Sequence, residues 1–143
     1  MDRELSGREF ITALPFSHAL AMHLETFGDG HAVISMPWDA RLVGDPQSGV
    51  IHGGAVSALM DTTAGAAVIS RPDGTGISAT LDLRIDYMRP ARPGQRLTCE
   101  ARCYHVTRSV AFVRATTTDE AEGHGPVATA TGAFTFELRE SRA

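Results

Sequence analysis

Between Gly53 and Ser70 the chain reads GGAVSALMDTTAGAAVIS, eighteen residues with one charge, Asp61. That run is too long for an ordinary strand, and its Ala, Leu and Met residues favour helix. A helix that is apolar or small nearly all round must be buried. Its Ala and Gly residues let neighbouring backbone approach closely, and Arg71-Pro72-Asp73-Gly74 stops it. Whatever this chain folds into has to wrap that helix.

The remaining sequence supplies strands to do so. Arg3 to Leu14 reads as a short helical segment closed by Pro15. Leu20, Met22 and Leu24 alternate with Ala21 and His23, the pattern of a strand. Gly28-Asp29-Gly30 makes a turn, and Ala32, Ile34 and Met36 continue as a second strand. Trp38 to Gly49, rich in Asp, Pro, Gly and Ser, reads as a loop. After the helix, Leu81, Leu83, Ile85 and Tyr87 alternate with Thr80, Asp82, Arg84 and Asp86, which gives a strand with one wet face. Arg89 to Gly94 turns; Leu97, Cys99, Ala101 and Cys103 alternate again. Val110 to Thr118 and Val127 to Leu138 are strand-forming, separated by the break from Glu122 to Pro126. Two strands, one buried helix and four strands joined by short connections predict an α+β fold. Its antiparallel sheet of five to six strands wraps one long central helix in a single domain over 1–143, with the helical segment at about 3–14.

Composition narrows the function. A chain of 143 residues, 43% apolar with a net charge of -4, is globular and sized for one domain. All 13 basic residues are Arg and none forms a long basic run, which argues against a nucleic-acid partner. No secretory h-region and no run of 18 apolar residues occurs, so the expectation is a cytoplasmic protein without a membrane span. Cys99 and Cys103 share one strand face about 13 Å apart at 3.3 Å per residue, too far for a disulfide. The six His residues lack metal-ligand spacing, so no metal site is expected. No phosphate-cradling loop, dinucleotide fingerprint or Gly-x-Ser-x-Gly elbow is present.

Two features bear chemistry. Ile51-His52-Gly53-Gly54 opens the helix with two glycines, leaving its first N–H groups accessible to an anion or a polarised carbonyl oxygen. The same glycines serve equally as a tight packing start. Asp61 is the lone carboxylate of an apolar helix, a position that fits a base or a nucleophile. It fits equally a group facing a wet groove or bonded to Thr62 or Thr63. Gly53 and Asp61 stand eight residues apart, about 12 Å along a helix at 1.5 Å per residue. One carbonyl cannot touch both, because reacting groups lie within about 3–3.5 Å. A shared site therefore requires Asp61 from a second chain across a two-fold axis.

His52-Gly53-Gly54 followed by Asp61 nine positions after the His resembles the hotdog-fold acyl-CoA thioesterases of the phenylacetyl-CoA and 4-hydroxybenzoyl-CoA type. Thr80-Leu81-Asp82-Leu83-Arg84-Ile85-Asp86-Tyr87-Met88-Arg89-Pro90 and Arg108-Ser109-Val110-Ala111-Phe112 extend the resemblance over about Ala19 to Leu138. It implies a hotdog fold and hydrolysis of an acyl-CoA or aryl-CoA thioester to an acid and free CoA, with no cofactor. It also implies a homodimer that pairs into a homotetramer. By the same resemblance, the Gly53 N–H polarises the thioester carbonyl with Gly54 beside it, and Asp61 attacks the carbonyl or activates water. His52 shapes the start of the helix, and the Thr80 hydroxyl positions water. Many members carry Asn or Gln a few residues before the His; here Pro46 stands at the Asn position and Gln47 is its nearest substitute. Arg89, Arg92 and Arg108, with Ser109, are candidates for the CoA phosphates; ordinary solvated arginine is the competing reading. The rival functions are a non-catalytic acyl-CoA binding or sensing module and a hydratase. No His near Asp61 on the helix supports the hydratase.

Overall fold

The computed structural model describes residue 9 and residues 11–140. Of the segment expected at about 3–14, residues 9 and 11–13 are helical; the rest, except Leu14, lies outside the described residues. Pro15 does not simply close that segment. It opens helix α1, Pro15–Ala19, where its missing N–H has no intrahelical bond to lose. The expected strand through Leu20 and Met22 is corrected accordingly: the chain turns at Ala21 (φ 54°) and β1 begins only at His23. Leu20 and Met22 still pack against the core, so their apolar spacing reported burial and not extension.

Strands β1 (His23–Gly28) and β2 (His31–Met36) form a hairpin. Asp29 (φ 50°) and Gly30 (φ 79°) both take positive φ, the two-residue turn whose twist suits a hairpin. Ala32, Ile34 and Met36 are fully buried. The expected loop from Trp38 contains a 3-10 turn, Ala40–Leu42, and strand β3 (Val43–Asp45), which pairs with β4 (Val50–Ile51).

Helix α2 spans Gly53–Ile69. Leu59, Met60, Thr63, Ala64 and Ala67 are fully buried against the sheet, and the Thr63 hydroxyl donates back to the Leu59 carbonyl at 2.6 Å. Ala58, Asp61, Thr62, Gly65 and Ile69 recur at helical spacing on the partly open side. Strands β5 (Thr80–Tyr87), β6 (Leu97–Val106), β7 (Val110–Thr118) and β8 (Ala128–Thr135) complete a six-stranded antiparallel sheet ordered β1-β2-β6-β7-β8-β5. One long helix lying on such a sheet is the hotdog fold, as expected.

Among the described residues strand β5 is an edge, hydrogen-bonded only to β8. Alternation assigns Thr80 to its wet face with Asp82, Arg84 and Asp86. Thr80 is exposed, but a bulge at Leu81 moves it off the face of Asp82, because Thr80 pairs with Phe134 while Asp82 pairs with the next residue, Ala133. The extra residue breaks the period-2 pattern and brings Thr80 round to the helix. Cys99 and Cys103 both lie on β6 as free thiols, each raised above the ordinary thiol range mainly by burial.

After β5, Arg89 makes a bidentate pair with Asp119, both bonds at 2.7 Å. Asp119 is fully shielded and also accepts from the Arg92 and Ala121 N–H groups. Arg89 and these donors hold its carboxyl far below the ordinary carboxylate range. A depressed carboxylate stabilises the fold above its unfolded pKa, about 3.9, and loses that contribution as pH falls toward its folded value. Arg89→Ala should therefore lower Tm at pH 7, and the gap to the native protein should narrow progressively below about pH 4. Thermal denaturation of both proteins between pH 7 and pH 2.5 checks the sign.

Candidate active site

The turn into α2 is built on His52. Its backbone is extended (φ -61°, ψ 136°), and its Nδ1 accepts the Gly54 N–H at 2.7 Å. An acceptor nitrogen carries no proton, so the ring's hydrogen sits on Nε2. A Cβ on Gly54 would stand 2.8 Å from that Nδ1, and one on Gly44 of β3 would stand 2.8 Å from the His52 Cα. Both glycines are thus required by close approach.

The Gly53–Gly54 peptide is held at both ends. His52 takes its N–H, and the Tyr87 hydroxyl donates to its carbonyl, Gly53 O, at 3.0 Å. The Ala55 N–H turns back to the His52 carbonyl. The Gly53 N–H has no acceptor among the described residues, and Gly53 is exposed. A lone N–H at a helix N-terminus, in a rigid frame, suits an oxygen gaining negative charge. Gly54, expected beside it as a substrate contact, has its N–H already engaged.

Asp61 sits two turns further on, half-buried on the open stripe. The Thr80 hydroxyl donates to its Oδ1 at 2.6 Å, which orients the carboxylate and leaves Oδ2 without a partner among the described residues. This is a bond to the carboxylate itself, closer than the water-positioning role the resemblance implies. Two cavities follow the stripe. One of about 300 Å³ touches His52, Gly54 and Ala58 under Phe16, Leu20 and Leu42. The other, about 180 Å³, lies beside Asp61 and Thr80 under Ile11 and Leu14. Gly53 and Asp61 remain about 12 Å apart along the helix, and one chain does not bring them together.

The cationic candidates separate. The Arg89 guanidinium is occupied by Asp119 and by the His124 and Gly125 carbonyls, a structural anchor and not a free cation. Arg92 is exposed next to His124 in the same region, near the Tyr87 end of β5. Arg108 and Ser109 are exposed in the β6–β7 turn, where the Ser109 carbonyl accepts from Phe136 at the far end of β8. They share an open groove with Arg139. Gln47 is exposed at the tip of the β3–β4 hairpin, outside both cavities of the stripe. Among the described residues no group of three or more His, Cys, Asp or Glu is placed to hold a metal ion. Tyr87 was missed as a site residue, although its alternation with Leu83 and Ile85 already aligned it with the helix side of β5.

The Thioesterase superfamily profile matches residues 48–125, which include the His52-Gly53-Gly54 turn, Asp61 and Thr80. The chain belongs to the thioesterase superfamily. It is 28% identical over 141 residues to the medium/long-chain acyl-CoA thioesterase YigI of Escherichia coli K12, covering 90% of each chain. A Pseudomonas aeruginosa protein of known crystal structure is 38% identical, with a TM-score of 0.79 over 94% of this chain and 98% of that one. A Streptococcus mutans UA159 protein, whose crystal structure is bound to acetyl CoA, is 25% identical with a TM-score of 0.72, over 84% and 91%. The protein is a thioester hydrolase.

The Gly53 N–H can be removed without disturbing the helix. Proline is tolerated at the first helical position, His52 already has the extended conformation required before proline, and a Cβ there meets Tyr87 at an ordinary 3.5 Å. Gly53→Pro should keep a native Tm within a few degrees and lower kcat for thioester hydrolysis by about 10²–10³, as read by thiol release.

Proposed function

We propose that the protein hydrolyses acyl-CoA at a site shared between two copies of the chain. The observation that carries this reading is the separation of Gly53 from Asp61 on one rigid helix. The Gly53 N–H of one copy holds the thioester oxygen, and Asp61 of the other works on the carbonyl carbon. Asp61 Oδ2 either attacks that carbon or takes a proton from the water that does. Both routes break the C–S bond, consume one water and release a carboxylic acid and the CoA thiol. Thr80 holds the carboxylate in aim, and His52 with Tyr87 holds the peptide that flanks the donor.

The edge strand supports the pairing. Its outer side pairs with no described strand, and Leu81, Tyr87 and Met88 are 59%, 54% and 59% exposed. Such an edge favours antiparallel addition of an identical strand. The acyl-CoA assignment rests on the names and ligands of the relatives described above, together with Arg92 and Arg108 as phosphate partners and Ser109 beside Arg108. Arg92 and Arg108 lie near opposite ends of β8, about 23 Å long at 3.3 Å per residue. Within a two-fold pair, residues from both ends come together at each site. Arg89, held by Asp119, serves there as scaffold, and Gln47 caps the hairpin that packs on His52. A pair of such dimers forms the tetramer. No helix among the described residues is long and apolar enough to cross a membrane, and we place the activity in the cytoplasm.

Complementation tests the composite site. Asp61→Ala alone should reduce thiol release at least about a hundredfold, as should Gly53→Pro. Equal amounts of the two variants, unfolded and refolded together, give hybrid dimers with one intact site each. Activity should recover to about a quarter of native, since half of the dimers are hybrids and one of their two sites is whole. If the mixture stays as inactive as its components, the shared site is wrong.

A further inference from the structure

One residue lining the cavity beside Asp61 carries a hydroxyl that the reaction does not use. Ser78 Oγ is fully shielded from solvent and has no hydrogen-bond partner among the described residues, yet Ser78 lines this cavity. The run from Ser78 to Thr80 is held against β8: the Ala79 N–H donates to the Thr135 hydroxyl, and the Ala79 carbonyl accepts from Thr135 N–H. Ser78 and Thr80 both line the cavity. The Thr80 hydroxyl donates its hydrogen bond to Asp61; the Ser78 hydroxyl donates to no described residue. A buried hydroxyl without a partner costs folding free energy until something polar reaches it.

The rest of the cavity is a container for carbon. Ile11, Leu14, Ile69 and Phe134 form apolar walls, and Gly65 leaves its helix side open. A Cβ at Gly65 would meet nothing nearer than Phe134 Cε1 at 3.9 Å, so packing does not require glycine there. The volume of about 180 Å³ compares with the roughly 150 Å³ of a dry cavity that accepts benzene, about six carbons. A carbonyl within about 3–3.5 Å of Asp61 places the first acyl carbons at this cavity's mouth.

We propose that this cavity receives the acyl tail and that the Ser78 hydroxyl, turned into the cavity by rotation about χ1, hydrogen-bonds an oxygen carried on it, which makes acyl groups of about six carbons bearing a hydroxyl the preferred class. The inference rests on Asp61 being the reacting carboxylate. Recognition of a substrate hydroxyl by a built-in polar partner discriminates far better than an added methylene does, and Gly65 sets how deep the tail reaches.

Thiol release from hexanoyl-CoA, its 3-hydroxy and 5-hydroxy derivatives, acetyl-CoA and decanoyl-CoA tests this with the full chain. At least one hydroxylated ester should exceed hexanoyl-CoA in kcat/KM by about tenfold, and Ser78→Ala should bring that ratio close to one. Gly65→Val, which fills the cavity from the helix, should lower kcat/KM for six-carbon esters relative to acetyl-CoA. Equal use of plain and hydroxylated esters, a preference that survives Ser78→Ala, or better turnover of decanoyl-CoA than of any six-carbon ester would each overturn the tail assignment while leaving Asp61 in place. Release that persists in Asp61→Ala would instead remove the foundation, and a native protein that releases thiol from none of the esters would overturn both readings.

Discussion

The placement of one helix against one sheet sets every distance at the site. Leu59, Met60, Thr63, Ala64 and Ala67 fill the contact with small and medium side chains that leave no exposed apolar area on that side. Because the buried face is wide, the helix has no freedom to roll. Its open stripe, from Ala58 through Asp61 to Ile69, is determined by what the opposite face buries. The carboxylate is therefore not placed by local chemistry. It is placed by the packing of residues on the other side of the same helix, with the Thr80 bond adding a final constraint on its rotamer.

Much of this was legible beforehand, for physical reasons that differ from element to element. The helix from Gly53 was readable because its length and near-absence of charge exclude every alternative. Strand β6 followed from a period of two that holds as far as Cys103, before the bulge at Tyr104, and β7 from its content of Thr, Val and Phe. The stretch from Leu20 to Leu24 misled because three apolar residues at alternate positions mark burial, and a turn through Ala21 buries them as well as a strand does. Thr80 was placed on the wet face by strict alternation, which cannot register the inserted residue of a bulge.

Long-range pairings were the least legible part of the site. Arg89 is a turn arginine next to a proline, and nothing local distinguishes a phosphate ligand from a structural cation. What decides is Asp119, thirty residues later, whose carboxylate gathers two guanidinium bonds and two backbone N–H groups. Tyr87 poses the same problem at a shorter range in space: its hydroxyl reaches Gly53 across thirty-four residues of sequence. Spacing arguments find residues on one element; they do not find partners supplied by another.

The two poles of the site face opposite electrostatic requirements, and the helix keeps them apart. A donor for a developing negative charge belongs at the helix N-terminus, where the peptide dipoles point their positive end outward. A carboxylate that close would already be stabilised by the same N–H group and would compete with the carbonyl for it. Two turns of helix remove Asp61 from that competition and leave its Oδ2 without a cation or a second donor among the described residues. An under-coordinated carboxylate is costly to shield from water unless a reacting partner compensates it. In the proposed dimer a second copy covers the open stripe, so closure of the site and exclusion of water from its carboxylate become a single event in assembly.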